Sequence, residues 1–249
     1  MSEKENIIET FTELAPRYEE VVDAELNRFW GWSYTGFVNH LIQMTPIPQK
    51  GRLLDIATGT GVIPIKVATE GLGKSRLHGL DITLSMLTRA QKKLTERDIR
   101  DKVDLVCASG MDIPYANGSF DLVTCALATH HMDIKLLLSE VHRILAEGGM
   151  LSIADVGGSN LWKSPVVKFF LRIFAFIYFL LKENIHRAWA EADAISNVRS
   201  KEEWSDLLAQ IGYKEISITK LRSKYFWIPE PLVIKAIKNQ AQEDKNEFP

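Results

Sequence analysis

A glycine turn between an apolar strand and a helix most constrains how this 249-residue chain can fold. The run Leu53–Gly61 reads LLDIATGTG and stands between a short strand-like segment and a helix-like one. Glycines let the backbone turn tightly and approach a ligand without an intervening side chain. The helix that follows presents free N–H groups and the positive end of its dipole. The turn therefore predicts a ligand site at the carboxyl end of a strand.

Strand and helix patterns alternate around this turn from about residue 52 to residue 156. Strands are predicted at Arg52–Ala57, Arg76–Asp81, Asp101–Ala108, Phe120–Ala126 and Met150–Val156. Helices are predicted at Val62–Thr69, at Ser85–Glu96 and from Ile134 to Leu145, the last stopped by Gly148-Gly149. Beyond them, Lys201–Ile211 is typical of a helix and Tyr213–Lys220 of a strand. The last strand is Leu232–Lys238, with Lys224–Ile228 as a competing candidate.

This alternation predicts an α/β fold: a doubly wound, mostly parallel, seven-stranded Rossmann-like sheet. We expect one domain over residues 1–238. It comprises an N-terminal helical cap (1–48), a cofactor-binding core (50–156), a helical insert after strand five (157–200) and a C-terminal helix with strands (201–238). Residues 239–249 form a polar tail.

Composition excludes several classes of protein. The net charge of −2 gives no basic excess for binding nucleic acid. Cys107 and Cys125 lie in apolar runs, which predicts buried core residues rather than a disulfide framework, and no metal site is expected. The start MSEKENIIETF has no apolar signal core, so we expect a cytoplasmic location.

Two carboxylates at predicted strand ends indicate the ligand. Asp81 ends the second strand twenty residues after Gly61, where an acidic side chain can bind both ribose hydroxyls. Pro64 takes the third position of the dinucleotide pattern, and Asp55 would face a pyrophosphate as a like charge. A carboxylate at Asp55 instead suits an ammonium group, directly or through a water or backbone N–H. The methionine part of S-adenosylmethionine carries such a group.

Four segments resemble successive motifs of class I S-adenosylmethionine-dependent methyltransferases: LLDIATGTG, GLDITLSML, IPYANGSFDLVTC and HRILAEGGMLSIAD. The chain is most similar to the menaquinone and ubiquinone C-methyltransferase group and related small-molecule methyltransferases. The opening FTELAPRYEE is similar to that group's N-terminal segment. The resemblance implies methyl transfer from S-adenosyl-L-methionine.

The resemblance also implies roles for individual residues. Gly59 and Gly61, with Asp55, Ala57 and Thr60 around them, would line the methionine part, and Asp81 would hold the ribose. The adenine would lie near Ile82, Met86, Ser109, Gly110 and Met111. Ala126 would lie near the sulfonium, and Tyr18 would close the pocket.

The chain departs from the family pattern at several positions. Ala57 replaces the usual first glycine of the loop. Ser109 replaces an aspartate commonly seen beside the adenine, with Asp112 as a candidate substitute. The segment Ala128–His131 does not match the quinone group's signature, and that group's C-terminal glycine-rich pattern is missing. A quinone acceptor is therefore one option among several.

Methyl transfer to carbon or oxygen also requires loss of a proton, so a base is expected. His130 and His131 follow the fourth strand, beside the expected methyl position, and Asp155 ends the fifth. All three are candidate catalytic residues. The alternative for the histidines is that they cap the next helix or contact the cofactor.

The apolar run Val166–Leu181 lies in the helical insert. Its 16 residues include Lys168 and Arg172, so a transmembrane helix is not expected. Three interpretations stay open: a lid over a small hydrophobic acceptor, a helix lying peripherally on a membrane, and packing on the sheet or on the second subunit of a homodimer.

For the whole chain, the leading interpretation is methyl transfer to a quinone-like or phenolic acceptor, at carbon or oxygen. Two alternatives are an NAD-dependent oxidoreductase on the same fold and a methyltransferase-like binding protein without chemistry.

Overall fold

A computed structural model of the chain describes residues 3–72, 74–226 and 228–239. The strands of this described part form one seven-stranded sheet: β1 (Arg52–Ile56), β2 (Arg76–Asp81), β3 (Val103–Cys107), β4 (Phe120–Ala126), β5 (Leu145–Asp155), β6 (Tyr213–Lys220) and β7 (Leu232–Lys238). They lie in the order β3-β2-β1-β4-β5-β7-β6. The first five are parallel, and β7 runs antiparallel to β5 and β6. The predicted mostly parallel α/β sheet is confirmed.

Helices cover both faces of the sheet. Three precede it: α1 (Glu3–Leu14), α2 (Tyr18–Trp30) and α3 (Tyr34–Met44). The crossovers between parallel strands contain α4 (Val62–Glu70), α5 (Leu84–Glu96) and α6 (Ile134–Ile144). The insert after β5 contains α7 (Pro165–Lys182) and α8 (Ile185–Ala194), and α9 (Lys201–Ile211) precedes β6. No helix among the described residues combines the length and apolarity needed to cross a membrane.

The central strand β1 is buried on both faces, as its apolar sequence predicts. Leu54 and Ile56 belong to a core cluster that includes α6 and α9, with Trp204 fully buried in it. Leu53 belongs to the opposite cluster, where Phe37 of α3 is also fully buried. Burial on both faces is what a parallel strand between two helical layers requires.

The boundary between α6 and β5 corrects the sequence prediction. The helix ends at Ile144, and Gly148-Gly149 lies inside β5 rather than stopping the helix. The pairing of β4 with β5 shifts register between Phe120 and Leu122, opposite this glycine pair. Gly148 has a φ of +72°, and a Cβ on Gly149 would lie 2.9 Å from the Ala146 carbonyl oxygen. The glycines therefore serve a β-bulge.

Three smaller predictions also need correction. β3 begins at Val103, because Arg100–Lys102 forms a short 3-10 turn. Cys125 is buried as predicted, but Cys107 is exposed, because β3 is an edge strand. Of the competing strand candidate Lys224–Ile228, residues 224–226 and 228 form bends and a turn, and position 227 lies outside the described residues. Residues 240–249 of the predicted polar tail also lie outside the described residues.

Candidate active site

The glycine turn lies between β1 and α4, at the point where strand order reverses between β1 and β4. Open α/β sheets bind ligands at such a switch point. The Thr58 N–H donates to the Leu80 carbonyl at 3.0 Å, which ties the turn to β2. Ala57 and Gly59 have φ values of +52° and +54°. Ala57 therefore occupies a left-handed conformation that favours glycine, which agrees with the glycine usual at this position of the loop.

Asp81 holds the turn from the end of β2. Its two carboxylate oxygens accept from the N–H groups of Gly59 and Thr83, each at 2.8 Å. Burial raises the pKa of Asp81, although these backbone donors oppose the shift. Each carboxylate oxygen can accept more than one hydrogen bond, so Asp81 retains acceptor capacity for a ligand.

A cavity of about 380 Å³ adjoins this carboxylate. Most of the residues predicted to bind a cofactor line it: Tyr18, Ala57, Asp81, Ile82, Met86, Ser109, Gly110 and Met111. They come from the N-terminal segment, from the end of β2, from α5 and from the loops that follow β1, β2 and β3. The carboxyl edge of the sheet thus brings together residues that are separated by up to about 90 positions in the chain.

Five of the predicted binding residues do not line this cavity: Asp55, Gly59, Thr60, Gly61 and Ala126. Asp55 is buried below the turn, accepts from the Thr124 hydroxyl at 2.7 Å, and has its pKa raised to about 7 by burial. Thr60 donates to Glu19 of α2. Thr60 therefore ties the turn to α2, and the Tyr18 ring covers Gly59. Gly61 is the N-cap of α4, and Ala126 ends β4.

The same cavity contains residues that sequence reasoning missed. Asp133 lines it while its carboxylate accepts from the Lys135 N–H at 3.0 Å as the N-cap of α6. Asp112, the candidate substitute beside the adenine, does not line it. The N-cap pattern of Asp133 was visible in the sequence. The contributions of Lys4, Ile7 and Phe11 were not, because they depend on how α1 packs.

A second cavity of about 520 Å³ adjoins the first and shares Phe11, Tyr18, Leu127 and His131 with it. Its walls come from α2, from the insert helices α7 and α8 and from the segment around Pro229. Most of these residues are apolar or aromatic, among them Val22, Leu26, Phe29, Trp30, Trp162, Leu171, Phe174, Ala175, Tyr178 and Phe179. Such a cavity suits a hydrophobic molecule.

His130 lines this second cavity and pairs with Asp155, which is buried. The Nδ1 of His130 lies 2.6 Å from Asp155 Oδ1, and Asp155 Oδ2 accepts from the Thr129 N–H at 2.8 Å. Burial lowers the pKa of His130, but the Asp155 carboxylate outweighs burial and raises it overall. Burial raises the pKa of Asp155, but the charge and hydrogen bond of His130 lower it overall. With Nδ1 donating to Asp155, Nε2 is the nitrogen that can accept a proton.

His131 lines both cavities and packs edge-on against Phe11 at 5.4 Å between ring centroids. Burial, followed by the neighbouring charge of His130, lowers the pKa of His131 well below its ordinary value. His131 is therefore neutral at physiological pH. The three candidate catalytic residues lie together, since His130 contacts both Asp155 and the His131 ring.

A charge cluster centred on Arg187 of α8 also lines the second cavity. Its Nη2 lies 3.1 Å from Glu25 Oε2 and 2.9 Å from Glu191 Oε1, while Phe179 lies beside the guanidinium. Burial raises the pKa of Glu25 to about 7, although Arg187 opposes the shift. The cluster joins α2 to α8 across 162 positions of sequence, so no local pattern could reveal it.

His130, His131 and Glu191 each bring a potential metal-binding atom within 4.8 Å of the others. Two histidines and a carboxylate can bind a transition metal. Glu191 is already held in an ion pair by Arg187, whose positive charge opposes a second cation at the same carboxylate. We therefore interpret the cluster as a metal-free group.

Comparisons with known proteins bear on this site. A family profile described as "Methyltransferase domain" matches residues 54–153. The demethylmenaquinone methyltransferase of Porphyromonas gingivalis is 27% identical over 225 residues, which cover 85% of this chain and 86% of that protein. The ubiquinone/menaquinone biosynthesis C-methyltransferase of Rhizobium meliloti is 30% identical over 158 residues, which cover 61% of this chain and 59% of that protein.

Solved structures share the fold. Geranyl diphosphate C-methyltransferase from Streptomyces coelicolor A3(2), solved with Mg²⁺, geranyl diphosphate and S-adenosyl-L-homocysteine, has a TM-score of 0.64 at 17% identity and covers 89% of this chain and 84% of its own. The [4+2]-cyclase SpnF has a TM-score of 0.69 at 15% identity, and the match covers 94% of this chain and 95% of SpnF. At these identities the likeness concerns the fold alone.

Proposed function

The chain is a class I S-adenosylmethionine-dependent methyltransferase, and we propose that it methylates a carbon or phenolic oxygen of a small hydrophobic acceptor. The identification replaces both the NAD-dependent oxidoreductase and the non-catalytic protein weighed from the sequence. One observation carries the proposal on the acceptor. An apolar cavity of about 520 Å³ adjoins the cavity at Asp81 and meets it at Tyr18, Leu127 and His131.

The cavity at Asp81 fits S-adenosyl-L-methionine. The Asp81 carboxylate retains acceptor capacity for ribose hydroxyls after binding the Gly59 and Thr83 N–H groups. Ile82 and Met86 supply an apolar surface for the adenine, and Ser109–Met111 its polar edge. When bound, the cofactor supplies an electrophilic methyl group on a sulfonium. The volume lies within the range of small-molecule sites.

His130 is proposed as the base that takes the acceptor's proton. Its Nδ1–H donates to Asp155, which orients the ring and leaves Nε2 as the proton acceptor. Asp155 also stabilises the imidazolium that forms, and general bases of this kind contribute roughly 10²–10⁴-fold. Neutral His131 and the Phe11 ring beside it lie at the junction of the two cavities.

Positioning and exclusion of water supply the rest of the catalysis. Holding donor and acceptor in line can lower the barrier by roughly 7–11 kcal/mol. The mostly apolar wall of the second cavity keeps water from the reacting groups, and Tyr18 closes the junction from α2. A phenolic or quinol-type ring suits this wall, because aromatic side chains pack on flat rings. The similarity to methyltransferases of ubiquinone and menaquinone biosynthesis supports an acceptor of this chemical class.

The test is methyl transfer from radiolabelled S-adenosyl-L-methionine to a panel of alkyl-substituted phenols and quinols, with hydrophilic amines and carboxylates for comparison. We expect incorporation into the hydrophobic rings, and a loss of roughly 10²-fold or more in kcat for His130→Ala. His142→Gln is the matched control, because His142 lies on α6 and packs against Tyr213 away from both cavities. Transfer to the hydrophilic compounds alone would contradict the proposal.

A further inference from the structure

The helix α7 has two apolar faces, and within the described part of the chain only one of them is covered. Its inner face packs on the protein through Ala175 and Phe179, which are buried. Its outer face consists of large apolar side chains that are between 42% and 80% exposed: Val166, Phe169, Phe170, Ile173, Ile177, Leu180 and Leu181. They recur every three or four residues and so form one continuous stripe. Apolar patches of this extent mark interaction surfaces.

The second cavity opens beside this stripe. Phe174 lines the cavity and is nevertheless 64% exposed. Leu171 and Tyr178, one helical turn to either side, also line the cavity. The inner wall of the cavity and the exposed stripe therefore belong to the same helix and meet at Phe174.

The charges of α7 indicate which partner it meets. The helix contains Lys168, Arg172 and Lys182 and no acidic residue. Lys182 at its end and Lys163 just before it are exposed. Within the helix, Arg172 pairs with Asp193 and Lys168 donates to the Ser196 carbonyl, so the exposed lysines Lys163 and Lys182 supply the positive charge at the two ends of the stripe. Such charge suits a surface of anionic lipid headgroups, with the apolar side chains entering the acyl boundary.

A second copy of this chain fits the stripe less well. Two-fold pairing through α7 would place the same patch on both subunits. Each α7 would then bring its flanking exposed lysines, Lys163 and Lys182, toward the other without a carboxylate on the helix to pair them. Such a contact would also cover the cavity beside Phe174.

We propose that the outer face of α7 docks on an anionic lipid bilayer, with the opening of the second cavity at Phe174 facing the membrane. The helix lies in the plane of the surface and is about 27 Å long. One consequence rests on the proposed function: the acceptor is a molecule dissolved in the bilayer, and it enters the second cavity without crossing water. The docking itself does not depend on which acceptor is methylated.

The test is co-sedimentation of the full chain, saturated with S-adenosyl-L-homocysteine, with two kinds of vesicle. One kind is phosphatidylcholine alone and the other contains phosphatidylglycerol. We expect binding to the second kind, weakened by added salt. The triple variant Phe169→Gln, Phe170→Gln, Ile173→Gln should lose more than roughly tenfold in vesicle affinity. The matched control is Leu84→Gln with Leu136→Gln, two exposed leucines on α5 and α6.

A label at the cavity opening tests the orientation. Phe174→Cys in a Cys107→Ser background is labelled with an environment-sensitive dye, since Cys107 is the exposed cysteine and Cys125 is buried. We expect a blue shift on adding anionic vesicles, and no shift for a dye at Leu84→Cys.

Three results would overturn the proposal: no sedimentation with either vesicle, equal sedimentation of wild type and triple variant, or a dimer that the triple variant dissociates. Cofactor affinity of every variant is measured in parallel. A variant that binds vesicles weakly but keeps its cofactor affinity shows a failure of docking. A variant that also loses cofactor affinity shows a failure of the methyltransferase site.

Discussion

The Nδ1 of His130 lies 2.6 Å from the Oδ1 of Asp155, which joins the loop after β4 to the end of β5. Asp155 is buried, at 1% exposed, and the His130 side chain is 13% exposed. The contact fixes the orientation of the imidazole in the second cavity, next to His131, which lies where the two cavities meet. It also makes the protonation of His130 depend on a carboxylate that does not line the cavity.

This pair predicts a specific pH dependence. If His130 is the base, as proposed, it acts in its neutral form, so kcat should rise with pH through a pKa above the ordinary value of 6.5. In Asp155→Asn the carboxylate that raises the pKa is lost while burial still lowers it. The rising limb of the profile should therefore move to lower pH, and kcat should fall by roughly 10²-fold or more. Steady-state kinetics from pH 5 to pH 9 measure both effects.

His142→Gln serves as the control, because His142 lies away from both cavities, and its pH profile should match that of the wild type. A profile whose limb stays in place in Asp155→Asn would show that another group is titrating.

The Arg187 cluster predicts a pH-dependent loss of stability. Arg187→Met removes the buried cation of Glu25 and Glu191, whose side chains are 22% and 15% exposed, which should cost about 3 kcal/mol. The folded pKa of Glu25 is about 7 against an ordinary 4.5, so stability falls as pH rises between these values. Removing Arg187 raises that pKa further and extends the fall to higher pH. Urea unfolding should therefore show a larger deficit at pH 8 than at pH 6.

Arg172→Met is the comparison for that experiment. Its partner Asp193 lies at 2.6 Å, but both side chains are about 40% exposed, so the cost should stay below about 1 kcal/mol. An equal deficit for Arg187→Met at both pH values would contradict the role assigned to Glu25.

Metal removal should leave the enzyme active. Arg187 already neutralises Glu191, so the cluster of His130, His131 and Glu191 is not expected to hold a cation. We expect dialysis against EDTA to leave kcat unchanged and elemental analysis to find no stoichiometric metal. Loss of activity with recovery on adding Zn²⁺ or Mn²⁺ would instead make the two histidines metal ligands.

Local patterns in the sequence predicted most of the sheet and the glycine turn beside the cavity at Asp81. Gly59, Gly61 and Asp81 occupy positions set by strand ends and a tight turn, which are properties of neighbouring residues. The same local reasoning misplaced the end of α6. Gly148-Gly149 has the sequence of a helix stop, yet it forms a β-bulge. That bulge results from the pairing of β5 with β4, which no local pattern shows.

The acceptor side could not be predicted in the same way. Arg187 meets Glu25 across 162 positions, and Phe11 meets His131 across the junction of α1 with the sheet edge. Such contacts depend on how α1, α2 and the insert pack on one another, and no periodicity encodes that packing. The exposed outer face of α7 likewise became distinct from its inner face only once the packing was known.

Calorimetric titration of S-adenosyl-L-homocysteine into wild type, Asp81→Asn and Asp112→Asn tests the central claim most directly. Asp112 is the matched control, because it is exposed and does not line the cofactor cavity. The account predicts one site per chain, a loss of at least about a hundredfold in affinity for Asp81→Asn, and no change for Asp112→Asn. Absence of binding to the wild type, or equal affinity in Asp81→Asn, would contradict it.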